Sequence, residues 1–270
     1  MTQHEEEISS TLVTKSSLID DLRKLGIKEG QTLLVHSSLS KIGWVCGAQV
    51  AVIQALQEVL TDKGTLVMPT HTGDNSDPSE WQHPPVPSEW WETIKVETPA
   101  FDPDITPTYK MGVVPESFRS FPNVVRSNHP TLSFAAWGQH KHFVTDGHGL
   151  DEGLGEHSPL ARIYDLKGSV LLLGVDYENN TSMHLAEHRQ PEKTLIKAGS
   201  AIMEDGAKVW KEYHTIAYQD EVFNEIGKKF ELKFEVKQGY IGKAFSRLMD
   251  QKELVDYTYE YFLNLSTSKE

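Results

Sequence analysis

His184 and Glu187 are two titratable side chains whose spacing suits acid–base chemistry. They stand three residues apart, so on a helix both side chains lie on one face. Imidazole is the usual proton acceptor near neutral pH, and a neighbouring carboxylate orients the ring and stabilises its cation. The apolar run 170–173 that precedes them ends at Gly174, which indicates a buried strand followed by a turn. The pattern therefore predicts titratable groups just past the carboxyl end of a strand, where open α/β sheets place ligands.

The helix that carries this pair has further features. Its start is expected at Ser182 or Thr181, since either hydroxyl is a good N-cap. His188 follows the first histidine by four residues, as in zinc-binding helices, but Leu185 stands where that motif has glutamate. With Cys46 as the single cysteine, the sequence does not favour a metal site. The alternative to a catalytic pair is that these charged side chains are simply solvent-exposed at a helix end and have no chemical role.

A hydroxyl- and glycine-rich loop over 37–47 has the composition of an anion site. It follows the strand-like run 32–35 and leads into a helix expected over 48–60. Backbone N–H groups, serine hydroxyls and a helix start bind anions without many lysines. The spacing of Gly43 and Gly47 fits neither a Walker loop nor a dinucleotide fingerprint. An anion site and a plain connector both remain open at this point.

Composition and charge limit the class of protein. The net charge of -13 over 270 residues disfavours nucleic acid, which needs clustered Lys and Arg, and it favours a cationic ligand or simple solubility. No run approaches the ~18 apolar residues of a membrane span, and the acidic start is not a signal peptide. A single cysteine excludes an intramolecular disulfide and suits a reducing compartment. We therefore expect a cytoplasmic protein without membrane or nucleic-acid partners, as a monomer or homodimer.

Helical and strand-like patterns alternate along the chain, and this order predicts a parallel sheet with right-handed crossovers. The expected fold is a single three-layer α/β domain over 1–270, with a mostly parallel central sheet, a C-terminal hairpin and helices, and a long Pro/Trp-rich insertion. Helices are expected over 14–25, 48–60, 113–118, 159–164, 220–230, 242–251 and 254–263, strands over 32–35, 65–68, 134–137 and 169–173, and a hairpin over 198–213.

Two segments depart from this alternation. Residues 1–13 have the composition of a polar arm. Residues 70–110 contain seven prolines, and their three tryptophans argue against disorder. Long irregular segments in compact domains are often functional, so we expect 70–110 to be an ordered excursion that covers the site. A purely structural cover is the alternative.

Several segments, taken together, resemble the aminoglycoside 3-N-acetyltransferase family, and most closely its Bacillus-type members. The resemblance spans roughly 14–265, with Ala48 as a departure where a second glycine is expected. It implies the family's own α/β fold, which is unrelated to the small common N-acetyltransferase fold. The segments that carry it are His36-Ser37-Ser38, Ile42-Gly43-Trp44-Val45-x-Gly47, Met68-Pro69-Thr70, Asn128-His129-Pro130-Thr131-x-Ser133, Gly155-x-x-Ser158-Pro159-Leu160-Ala161, Leu171-Leu172-Leu173-Gly174-Val175 and Asn180-Thr181-Ser182-x-His184-x-Ala186-Glu187.

The resemblance implies transfer of the acetyl group of acetyl-CoA to the 3-amino group of a 2-deoxystreptamine aminoglycoside, by general-base-assisted direct transfer and without a metal. His184 is the expected base. His129 is the second choice, although a structural role is expected for it. The carboxylate that orients the base stays open among Glu187, Glu221, Asp220 and Asp176.

Contacts to the two substrates follow from the same resemblance and from the chemistry of the side chains. The expected coenzyme contacts are Ser37, Ser38, Ser40, Lys41, Val45 and Gly47, with Ser133 and Ser158 as outlying candidates. Carboxylates and aromatic walls are expected to hold a cationic amine, at Asp74, Trp81, Tyr109, Asp176 and Glu187. A CoA-dependent acyltransferase for a non-antibiotic amine and a non-catalytic aminoglycoside-binding protein are the alternatives.

Overall fold

The computed structural model describes residues 12–267, which form a seven-stranded sheet between two layers of helices, with a separate two-stranded hairpin. The strands are β1 (Thr32–Ser37), β2 (Thr65–Pro69), β3 (Val125–Arg126), β4 (Phe134–Gly138), β5 (Ser169–Leu173), β6 (Leu195–Glu204), β7 (Ala207–Ile216), β8 (Lys237–Ile241) and β9 (Ala244–Asp250). The α-helices are α1 (Lys15–Leu25), α2 (Leu39–Ile42), α3 (Ala48–Leu60), α4 (Trp91–Glu97), α5 (Val113–Phe118), α6 (Lys141–Thr145), α7 (Pro159–Asp165), α8 (Ser182–Arg189), α9 (Phe223–Glu231) and α10 (Gln251–Thr267).

The central sheet has the strand order β3-β4-β2-β1-β5-β9-β8. The pairs β1–β2 and β1–β5 are parallel, and the other four pairs are antiparallel. Five strands therefore run in one direction, and β4 and β9 run against them. The expected three-layer α/β fold with a mostly parallel sheet is confirmed, with parallel pairing confined to the three central strands.

Both faces of the central strands are covered by helices. Leu33 and Val35 of β1 point into a core formed with α1, α3 and α5, whereas Leu34 lies in a second core formed with α7 to α10. Burial on both faces explains why 170–173 is a continuous apolar run rather than an alternating one. Parallel pairing also brings the carboxyl ends of β1, β2 and β5 to one edge of the sheet, at Ser37, Pro69 and Gly174.

The C-terminal part of the sheet differs from the sequence-based expectation. A helix was expected over 242–251, but these residues form a turn and strand β9, and the partner strand β8 was not predicted. Apolar residues at Phe245, Leu248 and Met249 also fit one face of a helix, so the local pattern is ambiguous. Pairing of β9 with both β5 and β8 decides the matter, because these pairs satisfy its backbone on both sides.

The two irregular segments are partly fixed by the rest of the chain. Residues 1–11 of the expected polar arm lie outside the described residues, and Val13 is buried and bridges to Val45 instead of extending into solvent. In the excursion 70–110, the Arg126 guanidinium donates to the Thr106 carbonyl oxygen at 2.5 Å and to that of Thr70 at 2.7 Å. None of the described helices has the length and apolar character needed to cross a membrane.

The turn that carries Tyr177 is held by close packing on Gly227 of α9. A Cβ at Gly227 would lie 2.1 Å from the Tyr177 ring. Helix propensity alone would make Gly227→Ala stabilising by ~1 kcal/mol, but overpacking costs ~1 to 3 kcal/mol. We expect Gly227→Ala to lower the free energy of unfolding by up to ~2 kcal/mol in urea titrations. Gly73→Ala is the control, since its Cβ would meet its nearest neighbour at 3.8 Å. A Gly227→Ala variant more stable than the parent would contradict this packing.

Candidate active site

His184 and Glu187 form a hydrogen-bonded pair on α8. The His184 Nδ1 atom lies 2.5 Å from Glu187 Oε2, and their side chains are 12% and 3% exposed. Because an ionised carboxylate only accepts hydrogen bonds, Nδ1 carries the hydrogen and Nε2 is the nitrogen that can take a proton. In residues 12–267 no group hydrogen-bonds to Nε2. The expectation that both side chains share one helix face is thus met.

Other elements hold the pair in place. The backbone N–H of Gln219, just after the hairpin, donates to the Glu187 Oε1 atom at 2.7 Å. The rings of Tyr218 and Phe223 pack against the His184 ring with centroid distances of 4.5 and 4.9 Å. The carboxylate is therefore oriented from two sides, and the imidazole is clamped between aromatic rings.

The start of α8 is stabilised differently from the expectation. The Asn180 side-chain oxygen accepts the Ser182 backbone N–H at 3.1 Å, so Asn180 supplies the cap. The Thr181 hydroxyl lies 3.3 Å from His36 Nε2, and Gln251 Nε2 donates to the Ser182 hydroxyl at 3.2 Å. Thr181 occupies the N-cap position, as expected, but its hydroxyl makes no cap hydrogen bond, because tertiary partners engage the hydroxyls of both Thr181 and Ser182.

A cavity of about 260 Å³ opens at His184, and we call it the histidine cavity. Burial, followed by the charge of the neighbouring His184, lowers the pKa of both His36 and His71 to about 3. These two imidazoles are therefore neutral at pH 7, and neither has a carboxylate partner in the described part of the chain. The side chains that line the cavity include His36, Ser37, His71, Lys110, Met111, Leu132, Val175, Glu178, Thr181, His184, Tyr218 and Asp220.

A larger cavity of about 700 Å³, the serine cavity, adjoins it. Ser37, Lys110 and Met111 line both cavities, so the two spaces are contiguous. The Ser37 hydroxyl oxygen is buried and has no hydrogen-bond partner within residues 12–267. A buried hydroxyl without a partner costs about 1 to 3 kcal/mol, which a bound acceptor atom would recover. The lining includes Ser37, Ser38, Leu39, Ser40, Gly43, Trp44, Val45, Ala48, Lys110, Met111, Gly112, Val113 and Val175.

A third space of about 330 Å³, the tryptophan cavity, lies within the excursion 70–110. Asp74, Trp81 and Tyr109 line it, as do Gln82, His83 and Pro84. Lys110 is common to the tryptophan, serine and histidine cavities. The excursion thus contributes walls to all three spaces, and its role as a cover over the site remains our proposal.

The serine cavity is lined by four of the eight expected coenzyme contacts: Ser37, Ser38, Ser40 and Val45. The other four, Lys41, Gly47, Ser133 and Ser158, do not line it. Lys41 is exposed beside Gly174. Gly47 is the left-handed N-cap of α3, and Ala48 after it has a φ of 47°, a conformation that glycine adopts without strain.

Ser133 and Ser158 were the outlying coenzyme candidates, and both hydroxyls have structural partners. The Ser133 hydroxyl donates to the Thr70 carbonyl oxygen at 2.8 Å and accepts from Arg126 Nε at 3.0 Å. The Ser158 hydroxyl caps α7 by accepting the Leu160 N–H. Both hydroxyls thus have partners within the protein, and neither residue lines the serine cavity.

The carboxylates separate in the same way. Of the four carboxylates left open, Glu187 is the one that hydrogen-bonds to the His184 ring. Glu221 is exposed and lines none of the three cavities, and Asp176 accepts from Arg247 Nη1 at 3.0 Å instead of facing the base. Asp220 lines the histidine cavity, and within residues 12–267 it forms no hydrogen bond or ion pair with His184.

His129 is enclosed by protein. Its Nδ1 atom accepts the N–H groups of Thr131 at 3.2 Å and Leu132 at 3.0 Å, and Nε2 donates to the Leu150 carbonyl oxygen at 3.2 Å. Burial, with the neighbouring His148, holds the pKa of His129 well below its usual range. These contacts agree with the structural role that was expected for it.

Sequence reasoning missed His36, His71, Lys110, Glu178 and Tyr218. Each is a single residue in an unremarkable local pattern, and only its partners in space reveal it. For His36 two signals were available: its position at the end of a buried strand, and its place in the segment His36-Ser37-Ser38 that carries the family resemblance. In the described residues, no three His, Cys, Asp or Glu side chains are grouped so as to hold a metal ion.

Comparison with known proteins gives concordant matches. The sequence profile described as aminoglycoside 3-N-acetyltransferase matches residues 34–263. The SPbeta prophage-derived aminoglycoside N(3')-acetyltransferase-like protein YokD of Bacillus subtilis (strain 168) is 49% identical over 252 residues, 93% of this chain and 93% of that protein. The crystal structure of YokD superposes with a TM-score of 0.95 at 47% identity and covers 97% of this chain and 98% of that chain.

Similar solved structures include complexes with a coenzyme and with an aminoglycoside. AAC-IIIb in a binary complex with CoASH superposes with a TM-score of 0.83 at 28% identity, covering 94% of this chain and 97% of that chain. AAC-VIa bound to sisomicin superposes with a TM-score of 0.84 at 27% identity, covering 93% of this chain and 98% of that chain.

Proposed function

Since the chain belongs to the aminoglycoside 3-N-acetyltransferase family, whose acyl donor is acetyl-CoA, we propose that it acetylates the 3-amino group of a 2-deoxystreptamine aminoglycoside by direct transfer, with His184 as general base. The observation that carries the proposal is the His184–Glu187 pair: the imidazole lines a cavity that adjoins the serine cavity, and its Nε2 has no hydrogen-bond partner among residues 12–267. Acceptor amine and coenzyme can therefore meet at one imidazole nitrogen.

The roles of the pair follow from its geometry. As the amine nitrogen bonds to the thioester carbonyl carbon, His184 Nε2 takes a proton from that nitrogen. Glu187 keeps the hydrogen on Nδ1 and stabilises the imidazolium. When the carbon–sulfur bond breaks, Nε2 returns the proton to the leaving sulfur, and His184 is neutral again. No side chain needs to be acylated, so the reaction requires no enzyme nucleophile.

The serine cavity suits the coenzyme. The cavity has a volume of about 700 Å³. The hydroxyls of Ser38 and Ser40 and the apolar side chains of Trp44 and Val45 line it. Such a mixed lining matches an extended ligand with polar amides and apolar methylene groups. Ser37 stands where this cavity meets the histidine cavity, so its free hydroxyl would face the reacting thioester.

Ser37→Ala is expected to lower kcat by about 10²-fold with little change in the KM for acetyl-CoA. A hydroxyl aimed at the thioester oxygen stabilises charge that develops only in the transition state, and loss of one such donor has this magnitude. Steady-state thiol release measures both constants. Ser38→Ala is the comparison, because a ground-state contact should raise the coenzyme KM and leave kcat near the parent value. If Ser37→Ala raised the KM for acetyl-CoA and left kcat unchanged, Ser37 would only bind the coenzyme and would not stabilise the transition state.

A thiol-release assay with acetyl-CoA and a panel of amines tests the function itself. Turnover of sisomicin and related aminoglycosides, with the new acetamide placed on the 3-nitrogen by NMR, supports the proposal. Turnover restricted to other amines would establish the CoA-dependent acyltransferase for a non-antibiotic amine. Aminoglycoside binding without turnover would establish the non-catalytic binding protein.

A further inference from the structure

The segment before α1 is joined to the loop that forms one wall of the serine cavity. Val13 lies beside Val45 in a parallel β-bridge, outside the seven-stranded sheet. The Val13 N–H donates to the Trp44 carbonyl oxygen at 3.2 Å, and its carbonyl oxygen accepts the Cys46 N–H at 2.8 Å. Trp44 and Val45 line the serine cavity. One residue near the start of the chain is therefore hydrogen-bonded to the loop on both sides of Val45.

The side chain of Val13 anchors this bridge in the core. It is 2% exposed and belongs to the core that α1, α3 and α5 form against the sheet. A Cβ at Gly242 would lie 3.2 Å from a methyl carbon of Val13, so the side chain packs on the turn between β8 and β9. That turn also holds the loop, because the Lys243 N–H donates to the Ile42 carbonyl oxygen at 2.9 Å. The loop is thus tied to two segments that are far from it in the sequence.

The backbone of the loop needs support of this kind. Gly43 and Gly47 have φ values of 98° and 85°, and Ala48 has a φ of 47°. Positive φ angles suit glycine, whereas the Cβ of Ala48 crowds the backbone there. Strained conformations persist only where the surrounding structure fixes them. The bridge at Val13 supplies part of that constraint.

We propose that Val13 is a positioning residue for the coenzyme, because its bridge keeps the loop 43–48 in the conformation that binds acetyl-CoA. The inference rests on the proposed place of acetyl-CoA in the serine cavity. A loop without the bridge populates other conformations in which Ala48 is relaxed, and only the remaining fraction binds coenzyme. The apparent affinity falls in proportion to that fraction, while the bound complex and its turnover stay the same.

Val13→Gly removes the buried side chain and tests the inference. We expect it to raise the calorimetric Kd for CoA, and the KM for acetyl-CoA in thiol release with sisomicin, by about tenfold, with kcat near the parent value. Leu12→Gly is the control, because it truncates the neighbouring side chain, which is 61% exposed. Circular dichroism establishes folding. If Val13→Gly does not fold, Val13→Ala replaces it, with an expected rise of about threefold.

Ala48→Gly gives a second test, since it removes the strain instead of the support. In the Val13→Gly background we expect Ala48→Gly to bring the Kd for CoA back to within about threefold of the parent value. A failure to restore the Kd would overturn the role given to backbone strain.

A merely structural role of Val13 predicts a different result. Destabilisation lowers the fraction of active protein, so the calorimetric stoichiometry and kcat fall while the Kd for CoA stays at the parent value. That result, or an equal rise of Kd in Leu12→Gly, would overturn the inference. The calorimetric arm also separates it from the proposed function. A raised Kd in Val13→Gly without thiol release by the parent would support the inference and contradict acetyl transfer, whereas thiol release with a Kd indifferent to Val13 would do the opposite.

Discussion

His184→Ala is expected to lower kcat by about 10² to 10⁴, the range typical of losing a general base, with little change in the KM for acetyl-CoA. The reason is that, in the described structure, His184 is the one histidine lining the histidine cavity whose ring is hydrogen-bonded to a carboxylate. The distance from its Nδ1 atom to Glu187 Oε2 is 2.5 Å, which leaves Nε2 to take the proton. Thiol-release kinetics from pH 6 to 9, with circular dichroism to establish folding, give the measurement.

Two matched variants sharpen the assignment. Glu187→Gln keeps the shape but removes the charge, and an amide NH₂ turned toward Nδ1 favours the tautomer whose Nε2 carries hydrogen and cannot take a proton. We expect its kcat to fall substantially as well. His129→Ala should chiefly reduce stability, because it removes the acceptor of two backbone N–H groups. If His184→Ala kept near-parent kcat while a folded His129→Ala was inactive, the base would be the wrong histidine.

The free energy of unfolding is expected to fall by several kcal/mol between pH 7 and pH 5. Burial is the main reason that the pKa values of His36 and His71 are about 3 and those of His148 and His188 are about 4. Each folded pKa is below the unfolded value of about 6.5, so the unfolded chain binds more protons as the pH falls. Stability is fully present above pH 6.5 and is lost below it, by about 2 kcal/mol per histidine at pH 5.

Urea unfolding at pH 5, 6, 7 and 8 measures this slope. The four histidines together amount to about 8 kcal/mol, comparable with the whole stability of many domains. His148→Gln should reduce by about one the number of protons taken up on unfolding below pH 6.5, so its free energy of unfolding should depend less steeply on pH. The stability of this variant at pH 7 is also expected to fall. His142→Gln is the control, because the His142 side chain is 65% exposed. Equal stability of the parent at pH 7 and pH 5 would show that these imidazoles are not held neutral.

Local patterns determined much of the fold. The continuous apolar run 170–173 predicted a strand buried on both faces, and the helical spacing of Leu18, Leu22 and Leu25 predicted α1. The resemblance to the acetyltransferase family and the α/β class are confirmed by the comparisons and by the sheet. The spacing of apolar residues along the chain is enough to predict such elements, because burial of one or both faces decides where their apolar residues stand.

Where a sequence pattern fits two secondary structures equally well, the local sequence could not choose between them. Residues 242–251 carry apolar positions compatible with a helix, and pairing with β5 and β8 makes them a turn and strand. The cap of α8 likewise depended on which hydroxyls had partners elsewhere: Thr181 is the N-cap residue, as expected, but the side chain that accepts a helix N–H is that of Asn180. Long-range hydrogen bonds outweigh propensities worth a fraction of a kcal/mol per residue.

The sequence by itself determined that His184 and Glu187 share a helix face, because a three-residue spacing on a helix places both side chains on one face whatever surrounds them. It left open which carboxylate contacts the histidine. Only the tertiary structure decided what faces that pair. Ser37, Lys110 and Tyr218 come from segments far apart in the chain and converge on one cavity, whereas Glu221 and Ser158 do not reach it. Convergence depends on the order of strands in the sheet and on the path of the connections, and residue spacing carries no record of either.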